Sequence, residues 1–175
     1  WFASVQNARR GLFYRIQGAG HQAVTDFQWD QESMDDQTQL EAVQHLATRF
    51  LRAEVHEEQD LYRDLIGPGA DHIPHTAQSN SRVPAVWATQ AQDGTISVGV
   101  SGPAAAELDL YLATSPPQEN TPIGSLALDS EDPILAAAPL EDGLLRTTLS
   151  APASETEGLY LQGSTLTAGL VGFTR

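Results

Sequence analysis

The stretch Asn7-Ala8-Arg9-Arg10-Gly11-Leu12-Phe13-Tyr14-Arg15-Ile16-Gln17-Gly18-Ala19-Gly20-His21 decides how the chain is read. Its centre, Leu12 to Ile16, is aromatic and β-branched and lies between Arg9-Arg10-Gly11 and Gly18-Ala19-Gly20, which predicts a strand running into a tight turn. Such near-continuous apolarity is expected of a strand covered on both faces. The glycine turn then delivers His21 to the C-terminal edge of a sheet, where open α/β sheets bind ligands. An imidazole held there by a loop, reachable by substrate and near a partner from another strand, is placed for general-base work. The residues leave a second reading open, in which His21 only caps or hydrogen-bonds its own loop.

Outward from this stretch, Gln22 to Gln37 is mixed aromatic and acidic without a period and reads as a loop. Leu40, Val43, Leu46, Ala47, Phe50 and Leu51 then recur at three- and four-residue spacing, and Thr38 with Glu41 has the form of a capping box, so a helix is expected from Thr38 to Arg52. Glu57 to Ile66 reads as a shorter helix stopped by Gly67-Pro68-Gly69. Residues 71–82 carry no pattern and read as a linker. Beyond it, Val83 to Trp87, Thr95 to Val100, Leu108 to Leu112, Ile123 to Leu128, Ile134 to Ala138, Leu144 to Leu149, Leu159 to Gln162 and Leu170 to Phe173 are short candidate strands punctuated by Asp-Gly, Gly-Pro and Pro-Pro pairs. That spacing predicts a β-sandwich, in which the first run is an edge strand or no strand at all because Pro84 falls within it. The chain is thus expected to divide into 1–70, a linker at 71–82, and a sandwich at 83–175 that folds independently or packs as an obligate half on what precedes it.

With 175 residues the chain has room for one domain or two small ones. Its nine basic groups are all arginine and face 23 carboxylates, and a formal charge of −14 opposes binding of nucleic acid or an anionic membrane surface. There is no cysteine, hence no disulfide, thiolate nucleophile or cysteine-based metal site, and no apolar run approaches a bilayer span. All five histidines precede residue 83, which places acid-base chemistry near neutral pH in the first part. Trp1-Phe2 opens the sequence without an initiating methionine, and the expectation is that the chain begins inside a larger, secreted or periplasmic, soluble product.

The stretch from Asn7 to His21, followed by the helix at 38–52 and by Leu61-Tyr62-Arg63-Asp64-Leu65 with Gly67-Pro68-Gly69, resembles the last sheet strand, histidine loop and final helix of α/β-hydrolases of the cutinase-like, polyester-hydrolase and dienelactone-hydrolase branch. The resemblance covers roughly residues 1 to 70. It implies an α/β fold of which this chain holds the C-terminal portion, followed by an all-β Ig-like sandwich. It further implies a serine carboxylic ester hydrolase, esterase- or lipase-like, in which His21 is the catalytic general base and no cofactor or metal is used. The nucleophile and the acid of the triad would come from an upstream part of the same enzyme or from a second chain, since no G-x-S-x-G occurs here and Gly99-Val100-Ser101-Gly102-Pro103 lacks the final glycine. The absence of cysteine departs from the cutinase-like branch.

Other residues carry weaker signals. Phe27 and Trp29 are substrate-pocket candidates, for a small or polymeric ester, or else pin the loop. Asp26, Asp30, Asp35 and Asp36 read as a solvated acidic loop and Ser101 as a surface or turn serine. His72 and His75 have metal-ligand types, yet offer only two imidazoles with a proline between them. Trp87 and Tyr111 are a stacking platform or core residues. The reading from a different class is a noncatalytic accessory or binding protein built on the Ig-like sandwich, with His21 structural.

Overall fold

The computed structural model describes residues 9–20, 34–113, 133–150, 160–165 and 170–174. They form a mixed α/β arrangement with small antiparallel sheets, and the chain packs as two compact units: Tyr14–Thr76, and Trp1–Phe13 with Ala77–Arg175. Both strand β1 (Leu12–Ile16) and strand β2 (His75–Ser79), which pair in a two-stranded sheet, are crossed by this division.

In the Tyr14–Thr76 unit the dominant element is helix α1 (Asp36–Val55). It starts two residues before the expected Thr38, because the Asp35 carboxylate accepts from both the Thr38 N–H (3.0 Å) and the Thr38 hydroxyl (2.7 Å) and so satisfies a donor that the helix itself cannot. Glu41 does not close the expected capping box and instead accepts from the Gln37 side-chain amide at 2.5 Å. Gln39, Ala42, Leu46 and Ala53 lie on one face at helical spacing and are buried. The expected apolar stripe therefore splits: Leu46 is buried, whereas Leu40 and Leu51 lie on a face left open, with Leu51 59% and Val55 69% exposed.

After α1 the chain makes a 3-10 turn at Gln59–Tyr62, helix α2 (Arg63–Ile66) and a second 3-10 turn at Pro68–Ala70. Tyr62, Leu65, Ile66, Ala70 and Ile73 from this region are buried. Polar ties hold it in place: the Tyr62 hydroxyl donates to Glu54 (2.8 Å), Arg49 pairs with Asp64 (3.1 Å), and Arg52 pairs with Glu58 just beyond the helix end.

Strand β1 differs from its expected burial on both faces. Leu12, Tyr14 and Ile16 are half-buried while Phe13 and Arg15 are exposed, the alternation of a strand covered on one face. Strand β2 occupies part of the stretch expected to be a linker. Its sequence, His-Thr-Ala-Gln-Ser, has no apolar period to announce it, and it is a strand through its pairing with β1.

The other unit holds two antiparallel sheets. Strands β3 (Ala85–Gln90), β4 (Thr95–Ser101) and β7 (Leu144–Ser150) form one, in the order β3-β4-β7; β5 (Glu107–Ala113), β6 (Leu135–Pro139), β8 (Tyr160–Thr165) and β9 (Leu170–Thr174) form the other, in the order β6-β5-β8-β9. These match seven of the eight strands expected from the sequence to within a few residues, and the eighth, 123–128, lies outside the described residues. Pro84 precedes β3, which is an edge strand. Val86, Ile96, Val98 and Val100 of the first sheet and Leu108, Leu110 and Leu161 of the second join Ala106 and Leu140 in one apolar cluster. Contact is close enough that a Cβ at Gly163 on β8 would come within 2.8 Å of Val86 on β3. Asp93-Gly94 turns β3 into β4, with Gly94 at φ 86°. Asp142 and Gly143 also have positive φ (50° and 77°), but their turn carries the chain from β6 in one sheet to β7 in the other.

Candidate functional site

His21, Phe27 and Trp29 lie outside the described residues, as do Asp26 and Asp30. The described residues on either side of this segment are Gly20 and Met34. Strand β1 ends in the turn at Gln17-Gly18, with Gly18 at φ 80°, a left-handed conformation that glycine adopts without strain. The Gly18 carbonyl accepts from the Met34 N–H at 3.1 Å, which brings the two ends of the intervening segment together. Gln39 on the first turn of α1 reinforces this closure. Its side-chain oxygen accepts from the Gly20 N–H (3.1 Å) and its amide donates to the Met34 carbonyl (2.6 Å), so one fully buried side chain ties Gly20 to Met34. The Asp35 cap follows immediately, and Thr38 holds the Asp35 carboxyl below the usual carboxylate range through its hydroxyl first and its N–H second. Of the four loop aspartates, Asp35 is thus a helix cap, and Asp36 lies exposed in the first turn of the helix.

A second cluster lies within the same unit, beside α1. His45 and His72 meet edge to face with ring centres 4.7 Å apart. They line a cleft of about 270 Å³ together with Met34, Thr38, Glu41 and Ile73. The His45 Nε2 faces the Asp64 carbonyl at 3.4 Å. Burial, and next the Arg49 charge, push the His45 imidazole below its ordinary range, so the ring is neutral at neutral pH. The sequence had suggested His72 with His75. Instead, His75 packs its ring 5.4 Å from that of Tyr14 and points Nδ1 at the Ile73 carbonyl (2.6 Å), while His72 turns to a histidine 27 positions earlier that no local spacing rule connects to it. Among the described residues, no three histidine, aspartate or glutamate side chains are gathered as a metal cage.

In the other unit, Trp87 is 4% exposed and packs its indole over Gly99, so it is a core residue and no stacking platform. Ser101 is fully buried at the end of β4, the middle strand of its sheet, where the sequence reading had expected a surface or turn serine. The turn-like Gly102-Pro103 that follows it misled that reading, because the strand extends one residue further than its apolar pattern. Among the described residues no helix is long and apolar enough to cross a membrane. No family model matches the chain, and neither a curated protein nor a solved structure matches it.

Proposed function

We propose that this chain is the C-terminal part of a serine carboxylic ester hydrolase and supplies its general base, His21. The observation that carries the reading is the closure on Gln39: a strand, a left-handed glycine turn, the buried Gln39 side chain bonded to both Gly20 and Met34, and a capped helix occur in that order along the chain. A general base needs a fixed origin as well as access to substrate, and the hydrogen bonds that fix Gly18, Gly20 and Met34 on α1 support the first of these. The exposed apolar residues Phe13 on β1 and Leu40, Leu51 and Val55 on α1 support the further part of the proposal, that more polypeptide carrying the serine and the acid covers these elements. In this reading His21 takes the proton of the serine hydroxyl as it attacks the ester carbonyl and returns it to the departing alcohol. The α/β-hydrolase identity of the first part, the Ig-like sandwich of 83–175, the small or polymeric ester substrate and a secreted or periplasmic location belong to the same proposal. The shared apolar cluster of the two sheets supports the sandwich, and equally the accessory-protein reading in which that module binds and His21 is structural.

The test is His21→Ala in the full-length protein, with turnover of a chromogenic ester and labelling by a fluorophosphonate both measured. A loss of several orders of magnitude in turnover with unchanged folding is expected. Near-normal turnover, or no serine labelled in the unmodified protein, rejects the assignment.

A further inference from the structure

We propose that His45 and His72 form an open chelate for a late first-row divalent ion such as Cu²⁺, a site independent of the ester-hydrolase reading. The spacing of the rings carries the argument. An imidazole nitrogen binds such ions at about 2.0–2.1 Å, and the ring centre lies roughly 1.1 Å further on. Two imidazoles about 90–110° apart around one ion therefore have centres roughly 4.5–5.2 Å apart. The two rings stand at 4.7 Å, within that range, with planes 73° apart and edge to face, so a common ion requires the exposed His72 ring to turn about its own side-chain bonds while His45 keeps its place.

The surroundings fit the same use. The His45 Nε2 faces the Asp64 carbonyl at 3.4 Å, and an imidazole that gives its Nε2 proton to a backbone carbonyl keeps the Nδ1 lone pair for an ion. Asp64 is itself held by Arg49 at 3.1 Å, which fixes the carbonyl's own residue. Glu41, one helical turn before His45, lines the same cleft and offsets the charge of a cation entering it. The cleft, at about 270 Å³, has room for an ion with its remaining waters. With only two imidazoles to bind it, the ion keeps water in its other positions, and the donor set of neutral nitrogens favours Cu²⁺ over Mg²⁺ or Ca²⁺.

The experiment is titration of the full chain with Cu²⁺ at pH 7.5, read by calorimetry and by electron paramagnetic resonance. One ion per chain with a two-nitrogen signature is expected. His72→Gln, at an exposed turn position where the fold is not at stake, weakens binding at least about tenfold and leaves one nitrogen. His45→Gln does the same, with its fold checked by circular dichroism, while His56→Gln and His75→Gln bind as the unmodified chain does. Retention of full affinity and of the two-nitrogen signature in His72→Gln overturns the proposal, as does loss of both on His75→Gln, or the absence of a site saturating below millimolar Cu²⁺.

Discussion

Replacing Gln39 tests the loop closure directly. Its side chain is fully buried and bonds to backbone groups on both sides of residues 21–33, 3.1 Å from the Gly20 nitrogen and 2.6 Å from the Met34 oxygen. Gln39→Met keeps most of the volume and removes both bonds, leaving one backbone donor and one acceptor without that partner, each at a cost of roughly 1–2 kcal/mol. The expected destabilisation is therefore about 2–4 kcal/mol, a large share of the roughly 5–15 kcal/mol that holds a typical domain folded. Gln39→Ala adds a cavity to the same loss and is expected to cost more. Urea unfolding of the full chain gives the stability change, and native-state hydrogen exchange at the Gly20 amide reports the closure itself. A Gln39→Met protein within about 0.5 kcal/mol of the unmodified chain, a surface-like effect, with Gly20 exchanging at its original rate, would show that the buried amide does not hold the loop. On the ester-hydrolase proposal, the same substitution lowers kcat in the full-length protein, since it releases the backbone on either side of the segment that carries His21.

Gly99→Ala sets a Cβ against the Trp87 indole and is expected to cost about 1–3 kcal/mol through overpacking; an unshifted thermal midpoint would mean that the indole swings aside freely. Ala137 on the edge strand β6 sits at φ 48°, so Ala137→Gly relieves left-handed strain and is expected to raise stability by up to about 1 kcal/mol in urea unfolding, a drop in stability speaking against it. The Asp35 carboxyl is held below its ordinary pKa in the folded chain, so its contribution is complete above the unfolded value and is lost as pH falls through the folded one. Asp35→Asn keeps a cap acceptor but cannot titrate, and is expected to flatten the acid limb of the stability–pH curve below about pH 4; an unchanged limb rejects the cap as its source. With a formal charge of −14, the chain repels itself, and raising NaCl from about 20 mM to about 0.5 M shortens the screening length to well under 10 Å. The thermal midpoint is expected to rise across that range, and a falling one would show that ion pairs such as Arg49–Asp64 outweigh the repulsion.

Most of what the sequence determined by itself depends on near neighbours. The Asp93-Gly94 turn, the glycine stop after Ile66 and the bounds of β4, β5 and β7 to within a residue follow from backbone preferences that operate within a few residues, and these were legible. The start of α1 was misplaced by two residues because Asp35 and Thr38 both offer capping oxygens, and only the hydrogen bonds distinguish them. Tertiary structure decided what depends on distant partners. It made a strand of the polar β2 by pairing it with β1, and it used the Asp142-Gly143 turn to switch sheets where the dipeptide alone suggests a hairpin. It buried one face of α1 and left Leu51 and Val55 open, and it joined His72 to His45 across 27 positions. Local propensity is a property of a residue and its neighbours along the chain, whereas burial and side-chain pairing depend on which segments pack together, and that choice is made by the summed contacts of the fold.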